Sequence, residues 1–150
     1  MTRSASDSAA SVDAPFGFDS LQLRPELLSA LVRLGYEEPT AIQRETIPLL
    51  LTGRDLLGQA ATGTGKTAAF LITVIADLLK NPPSDERCLG EPRALVLAPT
   101  RELALQIAKD AADLGKYAGL SVVTLVGGMD YEKQRKQLAA TPVDIIVATP

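Results

Sequence analysis

The segment Ala60-Ala61-Thr62-Gly63-Thr64-Gly65-Lys66-Thr67 constrains the fold of this chain more than any other. It follows the pattern of a small residue, four residues of any type, and then Gly, Lys and Thr. Gly63 and Gly65 permit backbone angles that a Cβ disfavours, so consecutive N–H groups can converge on one anion. A helix that begins behind the loop adds the positive end of its dipole. The pattern therefore predicts a strand, an anion-binding turn and a helix, in that order.

The residue types in this phosphate loop, residues 60–67, predict what it binds. We expect Lys66 to bridge the β- and γ-phosphates of ATP and the Thr67 hydroxyl to hold Mg²⁺, so these two are the candidate catalytic residues. Ala60 stands where the common pattern has glycine. The competing interpretation is a glycine-rich turn with an exposed lysine.

Hydrophobic patterns around the loop predict an α/β fold. Helices are predicted over residues 25–34, 40–51, 65–80, 101–116 and 130–140, and strands over residues 55–59, 94–98, 121–126 and 143–148. Strands that alternate with helices and read as continuous apolar runs are typical of a parallel sheet covered by helices on both faces. Residues 1–15, rich in Ser, Ala and Asp, are predicted to be a disordered tail, which leaves residues 16–150 as the folded part.

Composition excludes several classes of protein. The single cysteine, Cys88, allows no internal disulfide, and the absence of histidine excludes a Cys/His zinc site. The longest apolar stretch, Ala68 to Ala76, is too short to cross a bilayer, and the N-terminus has no secretory signal. We therefore predict a cytoplasmic protein with no membrane partner. The net charge of −3 gives no electrostatic signature of nucleic-acid binding, although helix N-termini can bind phosphate without net charge.

A second segment, Gly35-Tyr36-Glu37-Glu38-Pro39-Thr40-Ala41-Ile42-Gln43, lies upstream of the loop. The amide of Gln43 can both donate to and accept from the edge of adenine, in a pattern that guanine does not offer. The same Thr-x-x-Gln spacing is also a capping box, in which Gln43 only satisfies a helix N-terminus. By itself the segment favours a role of Gln43 in capping the helix. Together with the neighbouring segments, it favours a contact between Gln43 and adenine.

A third segment, Pro99-Thr100-Arg101-Glu102-Leu103-Ala104, follows a predicted strand. Thr100 is a natural N-cap, so free N–H groups of the helix would point outward at the carboxyl end of the sheet. Arg101 adds a positive charge for phosphate. The alternative is a plain cap in which Arg101 pairs with a carboxylate such as Glu102. The residues of this segment alone leave both interpretations open.

These segments, with Gly127-Gly128 and Thr149-Pro150, resemble the DEAD-box RNA helicases in order and spacing across residues 18–150. The resemblance implies a RecA-like P-loop NTPase domain with ATP and Mg²⁺ as cofactors and RNA as partner. It assigns Phe18, Tyr36 and Gln43 to adenine. It assigns these residues to the RNA backbone: Pro99, Thr100, Arg101, Gly127, Gly128, Thr149 and Pro150. The polar loop before Glu91 resembles the bacterial RhlB-like branch.

The family's acidic Asp-Glu-Ala-Asp strand and second RecA-like domain do not occur in these 150 residues. We therefore expect residues 16–150 to be an incomplete first RecA-like domain, truncated before the acidic Walker B strand, with unpaired sheet edges. The complete protein is expected to unwind short RNA duplexes, whereas this chain alone is expected to be inactive. The alternatives are another helicase-like P-loop motor and a non-catalytic nucleotide-binding fragment. The sequence does not identify possible protein partners.

Overall fold

The computed structural model describes residues 16–150, and the predicted disordered tail lies outside them. Within those residues the helices and strands follow the predicted order, except that the strand predicted over residues 55–59 does not form. In chain order the elements are a 3₁₀ turn at Phe18–Leu21, α1 at Pro25–Arg33, α2 at Ala41–Leu51, α3 at Lys66–Lys80, β1 at Ala94–Leu97, α4 at Arg101–Gly115, a 3₁₀ turn at Lys116–Ala118, β2 at Val122–Leu125, α5 at Tyr131–Ala140 and β3 at Ile145–Ala148. None of the described helices is both long and apolar enough to span a bilayer.

Local chemistry sets where the helices begin. Pro25 opens α1, where its fixed φ suits the first helical position and its missing N–H is not needed. The Thr100 hydroxyl accepts the N–H of Leu103 at 3.3 Å and so caps α4. The Asp130 carboxylate accepts the N–H of Lys133 at 3.1 Å and caps α5. Each cap satisfies a backbone donor that the helix itself leaves free.

The three strands form one parallel sheet in the order β1-β3-β2. Ile145 of β3 pairs with Ala94 of β1 and with Val122 of β2. All four residues of the central strand are buried. Because the strands run in the same direction, the segments that leave their carboxyl ends emerge along a single edge of the sheet.

Helices cover both faces of the sheet, as predicted. Ile145 and Val147 of β3 belong to the main core with α1, α3 and α4. On the other face, Ile146 lies in a smaller cluster under Leu138 of α5. The predicted cover is incomplete at the edge strand β1, where the side chains of Leu95 and Leu97 are exposed.

The predicted strand at residues 55–59 is wrong. These residues pair with none of the three strands, and the side chain of Leu57 is 92% exposed. An apolar run becomes a strand only when a neighbour supplies ladder hydrogen bonds, and apolar composition alone does not supply that neighbour. Leu56, Gly58 and Leu95 of β1 are among the residues that line a cavity of about 580 Å³.

Candidate nucleotide site and strand-end surface

The glycines of the phosphate loop have the geometry that the sequence predicts. Gly63 and Gly65 adopt φ values of +82° and +93°, which L side chains rarely adopt. Gly65 is constrained a second time, because a Cβ there would lie 2.5 Å from Nε2 of Gln43. The loop therefore needs glycine at position 65 both for its backbone angle and for its close contact with α2.

Lys66 folds back over the start of the loop. Its Nζ donates to the carbonyl oxygens of Ala60 and Ala61, the latter at 2.7 Å. The ammonium is thus held inside the loop by neutral acceptors. Because a charged acceptor binds an ammonium more strongly than a carbonyl does, a phosphate in the loop would compete for it effectively.

The segment that contains Gln43 is tied to the phosphate loop. Gln43 is only 1% exposed, and its Oε1 accepts the N–H of Thr40 at 3.0 Å, as in a capping box. Its Nε2 donates to the carbonyl of Gly65 at 3.1 Å, and the Thr40 hydroxyl donates to Thr64 O at 2.8 Å. The capping box is present, and the same amide also holds the loop. The contact of Gln43 with adenine stays a prediction.

A cavity of about 1050 Å³ joins these elements. Its size is just above the ~300–1,000 Å³ typical of small-molecule sites. Three stretches meet there, namely the Gln43 segment, the phosphate loop and α4. The residues that line it are Gly35, Tyr36, Glu37, Glu38, Thr40, Gln43, Thr62, Gly63, Gly65, Lys66, Thr67, Ala68, Leu103, Gln106 and Asp110.

The two predicted adenine aromatics occupy different positions. Tyr36 lines the cavity, whereas Phe18 is 6% exposed and is not among the lining residues. Their rings meet edge to face, with centroids 6.2 Å apart and an interplanar angle of 85°. Phe18 therefore supports Tyr36 from the core side. Burial raises the pKa of the Tyr36 phenol, and the negative charge of Asp110 raises it further.

Three cavity residues on α4 were missed by sequence reasoning. Leu103, Gln106 and Asp110 follow each other at helical spacing and share one face. Burial raises the pKa of Asp110, Lys109 opposes this, and the neighbouring carboxylate of Asp113 adds to it. The helical spacing of these three residues was visible in the sequence. That their shared face lines the nucleotide cavity depends on tertiary packing, which the sequence does not show.

The predicted RNA-facing residues leave the carboxyl ends of the three strands, and we call them the strand-end surface. Arg101, the first residue of α4, is exposed, and a Cβ on Gly128 would lie 3.2 Å from its Nη1. The N–H of Thr149, behind β3, donates to Leu125 O at 3.2 Å. The members of this surface are Pro99, Thr100, Arg101, Gly127, Gly128, Thr149 and Pro150. Arg101 forms no ion pair with any residue in the range 16–150, so the alternative in which it pairs with Glu102 is wrong.

The parallel sheet, the glycine-rich loop before α3 and the cavity beside it define a RecA-like P-loop α/β domain, as predicted. Residues 40–150 match the model of the DEAD/DEAH box helicase family. The chain belongs to this family.

Individual relatives agree with that assignment. The ATP-dependent RNA helicase RhlB of Pseudomonas aeruginosa (strain UCBPP-PA14) is 57% identical over 133 residues, which are 89% of this chain and 34% of the relative. RhlB of Xanthomonas oryzae pv. oryzae (strain KACC10331 / KXO85) is 50% identical over the same length, with 23% of the relative covered. The predicted resemblance to the RhlB-like branch is confirmed by these relatives.

A solved structure shows the same fold. The crystal structure of the RNA helicase Prp28 from Chaetomium thermophilum bound to ADP matches 95% of this chain with a TM-score of 0.77 and 41% identity. The match covers 34% of the Prp28 chain. The present chain therefore spans about a third or less of the length of the relatives it matches.

Proposed function

We propose that this chain supplies the nucleotide-binding part of an ATP-dependent RNA helicase. The observation that carries the proposal is the single cavity that joins the phosphate loop to the Tyr36–Gln43 segment. Residues 16–150 would then be part of the first of two RecA-like domains in a cytoplasmic protein. The names of the relatives, which include ATP-dependent RNA helicase, support this function.

In this proposal the triphosphate of ATP lies in the loop at residues 60–67. Lys66 exchanges the carbonyls of Ala60 and Ala61 for phosphate oxygens, which requires only a movement of its side chain. Thr67 lines the cavity, and its hydroxyl would hold Mg²⁺ together with phosphate oxygens. A site with one protein hydroxyl suits Mg²⁺, because this ion keeps several waters and phosphate ligands. When bound, it neutralises charge that develops on the phosphates.

Adenine would lie at the other end of the cavity, against Tyr36. Phe18 packs edge to face against Tyr36, and its own contact with adenine stays a prediction. The Gln43 amide uses one N–H and one lone pair of its oxygen within the protein, so a second N–H and a second lone pair remain for adenine, and the Nε2 bond to Gly65 O links the base site to the phosphate loop. Recognition of the base is therefore coupled to the position of the loop.

The strand-end surface would hold single-stranded RNA by its backbone. Free N–H groups at the start of α4 and the charge of Arg101 suit phosphate. The surface has glycine, proline and threonine, and it has no Asn or Gln amide that could make two hydrogen bonds to the edge of a base. We therefore propose that RNA is bound without sequence readout. Contacts to 2′-hydroxyl groups would distinguish RNA from DNA. In the complete protein, ATP would close the two domains on RNA and open short duplexes.

The decisive experiment is ATP turnover by the full-length protein with single-stranded RNA or with DNA of the same sequence. We expect RNA to stimulate turnover at least about tenfold more than DNA. Equal stimulation by both polymers would favour another P-loop motor. ATP binding with no turnover under either condition would favour a non-catalytic nucleotide-binding module.

A further inference from the structure

Helix α5 contacts the sheet through two residues one turn apart. Gln134 and Leu138 are half-buried, and the other residues of the helix are exposed. Leu138 packs on the cluster that includes Ile146. Gln134, in contrast, makes a polar contact. Because the other side chains of α5 are exposed, these two side chains determine where the helix lies.

The side-chain amide of Gln134 forms two hydrogen bonds with the backbone of a single residue, Val126. Its Oε1 accepts the N–H of Val126 at 2.9 Å, and its Nε2 donates to the carbonyl of Val126 at 3.2 Å. Val126 is 5% exposed and follows the last residue of β2. The side chain thus offers the acceptor and the donor that a neighbouring strand would supply, and a buried backbone group needs such partners.

The same helix turn fixes the other end of the loop. Asp130 caps α5 by accepting the N–H of Lys133 at 3.1 Å. The loop over residues 127–129 is therefore held at both ends by the start of α5. Within it, Gly128 has a φ of +74° and lies against the guanidinium of Arg101. A change at Val126 would displace Gly128 relative to that guanidinium.

We propose that Gln134 is a positioning residue for RNA-backbone binding, which it supports by holding Gly127 and Gly128 beside Arg101. The inference rests on the proposed function and adds to it a residue outside the strand-end surface. Gln134 itself contacts no RNA in this arrangement. It acts through Val126.

The test compares two glutamines of α5 in the full-length protein. Gln134→Met keeps the length and apolar packing of the side chain and removes both hydrogen bonds. Gln137→Met, on the exposed side of the same helix, is the matched control. We expect the first variant to raise the RNA concentration for half-maximal ATPase stimulation about tenfold, equivalent to ~1.4 kcal/mol. Turnover at saturating RNA and ATP affinity without RNA should stay within about twofold.

Two further measurements keep the test decisive. Gln134→Asn retains the amide on a side chain one methylene shorter, and it should weaken RNA binding as the Met variant does. Hydrogen exchange of the Val126 amide should accelerate at least about tenfold in both variants, while amides of α3 stay protected. This exchange reports the loop directly and needs no RNA.

The proposal is overturned if wild type is stimulated by RNA and the Gln134 variants match Gln137→Met. It is also overturned if ATP affinity and global stability fall in parallel with RNA binding, because the role is then only structural. A wild-type protein that RNA does not stimulate would contradict the proposed function itself, and the RNA role of Gln134 with it.

Discussion

The two ends of the sheet are built in opposite ways. At the amino end, Asp144 is nearly buried, and its Oδ1 accepts from Arg87 at 2.8 Å and from Arg93 at 3.2 Å. Its Oδ2 accepts the N–H of Ser121 at 2.9 Å. At the carboxyl end, Arg101 is exposed and has no carboxylate partner among the residues that the structure describes. Charges are satisfied internally at one end and remain available to a ligand at the other.

The difference has energetic consequences. Burial by itself would raise the pKa of Asp144, but the backbone N–H of Ser121 and the two guanidiniums outweigh it and hold the pKa below its ordinary value. Arg93 also donates to Leu78 O at 2.6 Å and to Asn81 O, which fastens the loop at residues 81–92 to the sheet. Substitutions at the amino end should therefore cost stability. Those at the carboxyl end should cost binding and turnover, as expected where α/β sheets bind ligands.

The largest effect should follow from Lys66→Ala. This change removes the one ammonium inside the phosphate loop, and we expect ATP turnover of the full-length protein to fall by about a thousandfold, to background. Stability should change little, because Lys66 donates only to two loop carbonyls. Turnover at saturating RNA, followed by phosphate release, measures the effect.

Lys80→Ala is the matched control, since Lys80 is an exposed lysine at the far end of the same helix. Its turnover should equal that of wild type. Unchanged turnover in Lys66→Ala would contradict the assignment of the phosphate loop and remove the contrast between the two ends of the sheet.

The next largest effect should be a loss of stability at the amino end of the sheet. Asp144→Asn removes the charge between Arg87 and Arg93 and should lower the free energy of unfolding by about 2–4 kcal/mol, because it leaves two nearly buried guanidiniums without their counterion. Denaturant unfolding measures this change. Asp113→Asn, which breaks the exposed pair with Lys109, should cost less than about 0.5 kcal/mol.

The stability difference between wild type and Asp144→Asn should depend on pH, and this dependence identifies its cause. The folded pKa of Asp144 lies below its unfolded value, so its charge contributes stability that is fully present above the unfolded pKa. That contribution is lost as the pH falls through the folded pKa. The stability difference between wild type and Asp144→Asn should therefore be constant near neutral pH and narrow below about pH 4. A difference that does not change with pH would mean that shape, not charge, carries the effect.

Features that depend on residues close together along the chain could be predicted from the sequence. The glycines of the phosphate loop and the Thr100 cap depend on contacts a few positions apart, and both were found. Residues 55–59 were misassigned because a strand needs a partner, and that partner is not specified by the segment itself. The bonds of Gln43 to Gly65 and of Asp144 to Arg87 join residues 22 and 57 positions apart, so only the fold reveals them.

Gln43 offers the smallest and sharpest test, because two roles meet in one amide. If Gln43 only caps α2 and holds Gly65, then Gln43→Ala should weaken the binding of ATP and GTP equally, because both nucleotides bind the same phosphate loop. If it also contacts adenine, ATP should lose about tenfold more affinity than GTP, equivalent to ~1.4 kcal/mol. Thr40→Val, which removes the bond to Thr64 O and leaves the amide in place, is the control, and its ATP-to-GTP ratio should not change. Equal losses in Gln43→Ala would make this residue a purely structural link at the functional end of the sheet.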